Sequence, residues 1–292
     1  MKIAHIAHIA HLAASLLFAA IIPATASAAT AFRAEVKGKG EAVILIPGLA
    51  SSGEVWQDST TRICAKRQCH ILTLAGFAGV PALQGERLLP AAEQQLADYI
   101  TANKLGKPTV IGHSLGGFLG MKLASDHPDK VGRLVIVDSF PALGATRNPA
   151  ISKELLQAGA AQMRDAMRSQ DDATFSAMQQ RSVATMVTSP DHAQRIASWG
   201  KLSDRATITD AMYDIMASDL REDVARIKAP TLVLGAWASY KAFAPKEAIE
   251  GLFKAQYAKL PNVKVELAES ARHFIMYDEP EWMYARIDQF IQ

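Results

Sequence analysis

The sequence predicts an α/β fold: a mostly parallel central sheet, helices on both faces, and a helical segment inserted before the last strands. Three observations carry this. Short apolar runs, among them Glu41–Ile46, His70–Leu74, Arg133–Asp138 and Ala229–Gly235, alternate with longer helical patterns. Continuous apolar runs of this length are the mark of strands buried on both faces, and their alternation with helices implies parallel pairing. The alternation breaks from Pro141 to about Ser218, where patterns rich in alanine, methionine and glutamine follow one another without a convincing strand.

The bulk numbers fit one globular domain. The chain has 292 residues, of which 49% are hydrophobic, enough for a large core. A formal net charge of +2, without a basic block, excludes nucleic acid as an expected partner. No repeat is visible.

The first 28 residues read as a secretory signal peptide. Lys2 opens a stretch with no acidic residue before Glu35, Leu12–Ile22 is apolar, and Ala26-Ser27-Ala28 is a small-residue cleavage pattern. The apolar core is too short for a permanent span. The expected mature chain is therefore 29–292, periplasmic or secreted, with no stable membrane span. His5, His8 and His11 fall in this leader and are read as a tolerated extension, not a metal site. Cys64 and Cys69, with four residues between them, are the only cysteines. An oxidising compartment favours a disulfide between them, and no further cysteine exists to complete a thiolate metal site.

Taken in order, Phe32–Val36 reads as an edge strand and Glu41–Ile46 as the first buried strand, followed by the loop Pro47–Gly53. Trp56–Arg67 reads as a helix. His70–Leu74 is the next strand, closing in the loop Ala75–Gly79, and Pro90–Asn103 is an amphipathic helix. The insertion, about 142–218, holds helical patterns at Lys153–Ser169, Asp172–Val187 and Ala193–Leu202. Its methionines, such as Met163, Met167, Met178, Met186, Met212 and Met216, pack helix against core or line an adaptable pocket. Lys246–Leu260 is helical, Val263–Leu267 is the last strand, and a closing helix runs to Gln292.

The organising stretch is Val110–Gly117, Val-Ile-Gly-His-Ser-Leu-Gly-Gly. An apolar run leads in and a helical pattern leads out, so Gly112-x-Ser114-x-Gly116 sits on a sharp strand–turn–helix. Glycines two positions either side of the serine remove side chains that would clash. The serine then stands above a helix N-terminus, where developing negative charge is favoured.

These residues resemble the α/β-hydrolase superfamily, in the branch of small single-domain, esterase-like enzymes with a helical cap. The resemblance runs from about Glu41 to the C-terminus. It implies a serine hydrolase, with Ser114 as nucleophile. His273, after the last strand, stands where the superfamily keeps its base; His70, His113, His127 and His192 do not. It implies oxyanion donors at the Leu49 and Leu115 N–H groups, although Pro47 stands where relatives usually carry histidine. The triad acid departs from the common pattern. Most relatives place it after the Leu232–Leu234 strand, but Gly235–Pro245 contains no Asp or Glu. Some relatives place it one strand earlier, where Asp138 stands; Asp219, Asp223, Glu247 and Glu269 are weaker alternatives. Gly48, His113 and Trp237 are the expected substrate contacts.

The implied activity is cleavage of a small-molecule carboxylic ester through an acyl-enzyme, without cofactor or metal. An amide, a lactone or a carbon–carbon bond beside a carbonyl would use the same apparatus. A carboxylate-nucleophile branch is excluded by the serine. The remaining alternative is a non-catalytic binding protein on the same fold.

Overall fold

The computed structural model describes residues 30–292; the expected signal peptide lies outside the described residues. Seven strands form one sheet: β1 (Phe32–Lys37), β2 (Ala42–Ile46), β3 (Gln68–Leu74), β4 (Thr109–His113), β5 (Arg133–Val137), β6 (Thr231–Ala236) and β7 (Val263–Ala268). Their spatial order is β1-β3-β2-β4-β5-β6-β7. β1 runs antiparallel to β3, and the other neighbours are parallel. The helices are α1 (Gln57–Ile63), α2 (Leu88–Ala102), α3 (Leu115–Asp126), α4 (Lys153–Ser169), α5 (Asp172–Met186), α6 (Pro190–Lys201), α7 (Arg205–Ala217), α8 (Lys246–Gln256), α9 (Ile275–Asp278) and α10 (Pro280–Phe290).

The apolar runs are strands because both sheet faces are covered. Successive side chains point to opposite faces. Ile44, Ile46, Val110 and Ile136 pack with Leu96 of α2, Phe118 of α3 and Phe253 of α8. Val43, Leu45, Ile111 and Val135 pack on the other side with Ile63 of α1 and Ile287 of α10. The sheet holds a solid hydrophobic layer on each side, and its strands β4, β5 and β6 bring their carboxyl ends together.

Several boundaries differ from the sequence reading. The helix expected over Trp56–Arg67 is a 3-10 turn at Gly53–Trp56 followed by α1, which stops at Ile63. Ser52 starts the turn by accepting the Glu54 N–H, and the chain leaves α1 at Cys64 to reach β3. Cys64 and Cys69 face each other with Cα atoms 5.5 Å apart, a separation that a disulfide spans. The α2 helix starts two residues before Pro90, which then lies in the first turn, where a missing N–H breaks no intrahelical bond. The α8 helix ends at Gln256, short of Leu260.

The insertion holds four helices rather than three. α4, α5, α6 and α7 each begin at a side-chain cap: Ser152, Asp171, Ser189 and Asp204 accept the N–H groups of Leu155, Thr174, His192 and Thr207. Capping of this kind satisfies donors that the first turn leaves free. Asp204 therefore marks the start of the helix that the periodicity alone did not separate. α4 packs on α7 and α5 on α6. Among the described residues, no helix is long and apolar enough to cross a membrane.

Candidate active site

The turn from β4 into α3 places Ser114 with φ 53° and ψ −119°, a conformation that side chains rarely adopt and that a tightly determined turn can hold. The flanking glycines are required by contact. A Cβ at Gly112 would lie 2.2 Å from the Gly116 carbonyl oxygen, and one at Gly116 would lie 2.3 Å from the Ile46 carbonyl oxygen. The loop after β2 passes as closely: a Cβ at Gly48 would come within 3.2 Å of the Ser114 Cβ.

Asp138 ends the neighbouring strand β5 and also has a positive φ, 47°. The sheet ladder continues through both residues. The Ser114 N–H donates to the Val137 carbonyl at 2.9 Å, and the Asp138 N–H to the Leu234 carbonyl at 2.7 Å. The Asp138 carboxylate is nearly buried, with its side chain 8% exposed. Its Oδ1 accepts the Ala236 N–H at 2.8 Å. Its Oδ2 lies 2.6 Å from His273 Nδ1. This contact fixes the tautomer with the proton on Nδ1 and leaves Nε2 free to accept. The other carboxylates considered are engaged elsewhere: Asp219 with Arg221, Asp223 with Arg226 and Glu269 with Lys246, while Glu247 is exposed on α8.

His273 sits between β7 and α9, and the insertion holds the segment around it. The Phe274 N–H donates to the Met186 carbonyl at 3.1 Å. Arg272 Nη1 donates to the carbonyls of Ala184 and Val187. Asp278 Oδ2 accepts the Arg272 N–H at 2.9 Å, and its Oδ1 accepts both the N–H and the hydroxyl of Thr188. Sequence reasoning missed Asp278, Thr188 and Arg272. Only the position of Asp278, five residues past the histidine, hinted at a role.

Ser114, His273, Gly48 and Leu49 share the wall of one cavity of about 220 Å³. Its remaining wall comes largely from the insertion, with Met167, Met178, Met186 and Met212 among its residues. Met163 and Met216 are not on that wall. The Ser114 hydroxyl makes no hydrogen bond to another described residue, and apo geometry of this kind is often looser than the reacting complex. Leu115 is buried at the first position of α3. Neither the Leu49 nor the Leu115 N–H donates to an acceptor among the described residues, so both are open to an incoming oxygen.

Two of the expected substrate contacts are elsewhere. His113 is fully buried beneath the site, because it ends β4 facing inward. Its Nε2 donates to the His273 carbonyl at 3.0 Å, and its Nδ1 is buried without a partner. Burial, aided by repulsion from His273 whenever that ring takes up a proton, holds its pKa well below the ordinary value, against a smaller opposing effect of the carbonyl bond. His113 is thus a neutral support under His273. Trp237 is also off the cavity wall. Its indole N–H donates to the Ala244 carbonyl within its own loop at 3.4 Å, and its ring lies against the core. No group of three or more potential metal-ligating side chains is found among the described residues.

A strained serine above a helix N-terminus, a carboxylate one strand away and a histidine after the last strand define an α/β-hydrolase site on an α/β-hydrolase sheet. The chain belongs to the alpha/beta hydrolase family, which it matches over residues 43–286. It is 25% identical over 263 residues to a pimeloyl-[acyl-carrier protein] methyl ester esterase of Aeromonas hydrophila, covering 87% of this chain and 96% of that protein. A protein of the same description from Vibrio atlanticus is 31% identical over 116 residues, which is 40% of this chain and 43% of the relative. That second match therefore spans less than half of the relative. Among solved structures, a hydrolase from Pseudomonas aeruginosa superposes with a TM-score of 0.74 at 16% identity, covering 89% of this chain and 94% of that one. The likeness to that structure is one of fold. Together with the curated relatives, the family match makes this protein a hydrolase of the α/β class.

Proposed function

We propose that the protein is a serine hydrolase that cleaves carboxylic esters of small molecules through an acyl-enzyme on Ser114. The observation that carries this reading is the Asp138–His273 hydrogen bond, 2.6 Å long, on a histidine that shares a cavity wall with Ser114. A serine hydroxyl needs a base. His273 Nε2 takes its proton as Oγ attacks the ester carbonyl, and Asp138 stabilises the imidazolium that results. The Leu49 and Leu115 N–H groups receive the oxyanion; paired donors of this kind contribute several kcal/mol. Collapse expels the alcohol, which takes the proton from His273. Water then repeats the sequence, and the acid leaves.

The export reading belongs to the same proposal. The apolar Leu12–Ile22 segment and the Ala26-Ser27-Ala28 pattern support a mature chain beginning at Ala29, in the periplasm or outside the cell. Amino-terminal sequencing of protein recovered from that compartment checks it; a start at Met1 refutes it.

The test of chemistry is labelling by a fluorophosphonate, followed by ester turnover. Wild-type protein is expected to label at Ser114 and to hydrolyse an activated ester. Ser114→Ala is expected to lose labelling and at least about 10⁴-fold in kcat while keeping its fold. A folded wild-type protein that neither labels nor turns over favours a binding protein on this fold.

A further inference from the structure

We infer that the cavity above Ser114 holds the acyl part of the ester, and that the acyl group it selects is uncharged, apolar and about six to eight carbons long. This inference rests on the proposed function, because it assigns the acyl group to a covalent Ser114 intermediate.

The wall decides the chemistry. None of the residues lining the cavity is Asp, Glu, Lys or Arg. Ile208 and Met212 of α7 and Met178, Val183 and Met186 of α5 supply apolar wall from two different helices. Methionine is unbranched and polarisable, so a wall of this kind adapts to a flexible chain. The polar side chains Gln179, Ser182 and Ser51 on the wall are uncharged, so a carboxylate or ammonium at the far end of the substrate would lose its water without gaining an opposite charge, at a large cost.

The size decides the length. The cavity is about 220 Å³. A protein cavity of about 150 Å³ accommodates a benzene ring, so in proportion this one takes at most about nine carbons, and fewer once the ester group beside Ser114 occupies its share.

The chemistry of turnover decides which half of the ester sits there. The alcohol leaves and water enters while the acyl group stays attached to Ser114. The acyl group therefore needs a fixed place beside the oxyanion loop, and Gly48, Leu49 and Ala50 of that loop form part of the same wall.

Two variants make the assignment specific. Met178 and Met212 stand on helices from the two different packed pairs of the insertion, and both face the cavity. Met178→Trp and Met212→Trp are expected to fill it and to penalise long chains more than short ones.

The experiment measures kcat/KM for p-nitrophenyl esters from acetate to dodecanoate. It adds p-nitrophenyl esters whose six- to eight-carbon acyl chain ends in a carboxylate, and acetates of alcohols of increasing length. The expected profile rises by up to about fourfold per methylene to an optimum between hexanoate and octanoate, then falls. The chain ending in a carboxylate is expected to fall at least about a hundredfold below its apolar counterpart. In each Trp variant the octanoate-to-acetate ratio is expected to drop at least about tenfold. An optimum at acetate, equal use of the carboxylate chain, an unchanged ratio in both Trp variants, or a length dependence on the alcohol side overturns the inference. Binding of methyl octanoate against methyl butanoate to folded Ser114→Ala supplies a readout without catalysis. Tighter octanoate binding with no turnover by the wild type leaves the cavity assignment standing and overturns the proposed chemistry. Turnover with a wrong length profile does the reverse.

Discussion

The site is built from two halves held in different ways. Ser114 and Asp138 stand at the ends of β4 and β5, and the hydrogen bonds of the sheet run through both. The serine N–H meets Val137, the Asp138 N–H meets Leu234, and the Asp138 carboxylate takes the Ala236 N–H. This half is fixed by the rigid centre of the molecule. His273 stands on a loop. Its neighbours Arg272 and Phe274 are bound to Ala184, Met186 and Val187, at the end of α5 and just beyond. His273 is therefore placed by the same helices that wall the cavity at Ser114. The difference teaches that, in the proposed mechanism, the sheet sets where bond making occurs, while the insertion sets whether His273 is in reach.

The sharpest way to break this comparison is inside the sheet half. Asp138→Asn keeps the shape but favours the wrong histidine tautomer, and a loss of about 10³–10⁴-fold in kcat is expected. KM and melting temperature should change little. A variant with near wild-type kcat would mean that His273 is oriented by the insertion alone.

The next largest effect is expected in the loop half. Asp278 joins the Arg272 N–H to Thr188, so Asp278→Ala releases the histidine loop from the insertion. Misplacement of a reacting group by about 1 Å can cost about 10²-fold, and a fall of about 10- to 100-fold in kcat is expected. Thr188→Ser keeps both bonds to Asp278 and should remain near wild type. If Asp278→Ala has wild-type kcat, the loop supports itself and the two halves are not held differently.

The two halves were not equally legible in the sequence. The sheet half was, because its signals are local. The spacing of Gly112, Ser114 and Gly116 reports contacts with adjacent backbone, and the apolar run ending at Asp138 reports a buried strand. The missing carboxylate in Gly235–Pro245 narrowed the choice of acid further. The loop half was not legible. The bonds from Arg272, Phe274 and Asp278 reach back about 85 to 90 residues, and no local pattern encodes such partners. His113 illustrates the limit: its place beside the serine suggested substrate contact, but β4 turns its ring under the site. Trp237 was misread for a related reason, since its loop folds back on itself at Ala244.

A control outside both halves sharpens the contrast. Cys64 and Cys69 face each other between the end of α1 and β3, far along the chain from both. The loop is already confined, for a Cβ at Gly38 would lie 2.3 Å from the Cys64 and Arg67 carbonyl oxygens. We propose that the pair is oxidised in the exported protein. A loop this short contributes about 2 kcal/mol at most, so Cys64→Ser is expected to lower unfolding stability by up to that amount and to leave kcat unchanged. Titration of the denatured, unreduced protein should find no free thiol; two free thiols refute the bond.

The smallest effect lies where the halves meet, at His113. Its ring is carried by β4 yet donates to the carbonyl of His273, so it couples the sheet to the loop. In the folded protein its pKa is held well below the ordinary value of 6.5, chiefly by burial. In the unfolded chain it titrates near that value. Below about pH 6.5 the unfolded state therefore binds more protons than the folded state, and stability falls as pH falls. Above it both states are neutral at this position and the contribution is fully present. One such site gives a slope of at most about 1.4 kcal/mol per pH unit. His70 is shifted in the same direction by burial, so the measurement must be a difference. His113→Gln carries an N–H that can reach the same carbonyl but has no titration in this range. Denaturant unfolding between pH 4 and 8 is expected to show a shallower acid-side slope in this variant than in wild type. Equal slopes would mean that His113 is protonated in the folded state; an imidazolium there would face the His273 ring, 4.6 Å away between centroids. The neutral ring instead lets the sheet hold the loop without adding a positive charge beneath His273, which in the proposed mechanism must itself become positive when it takes the proton of Ser114.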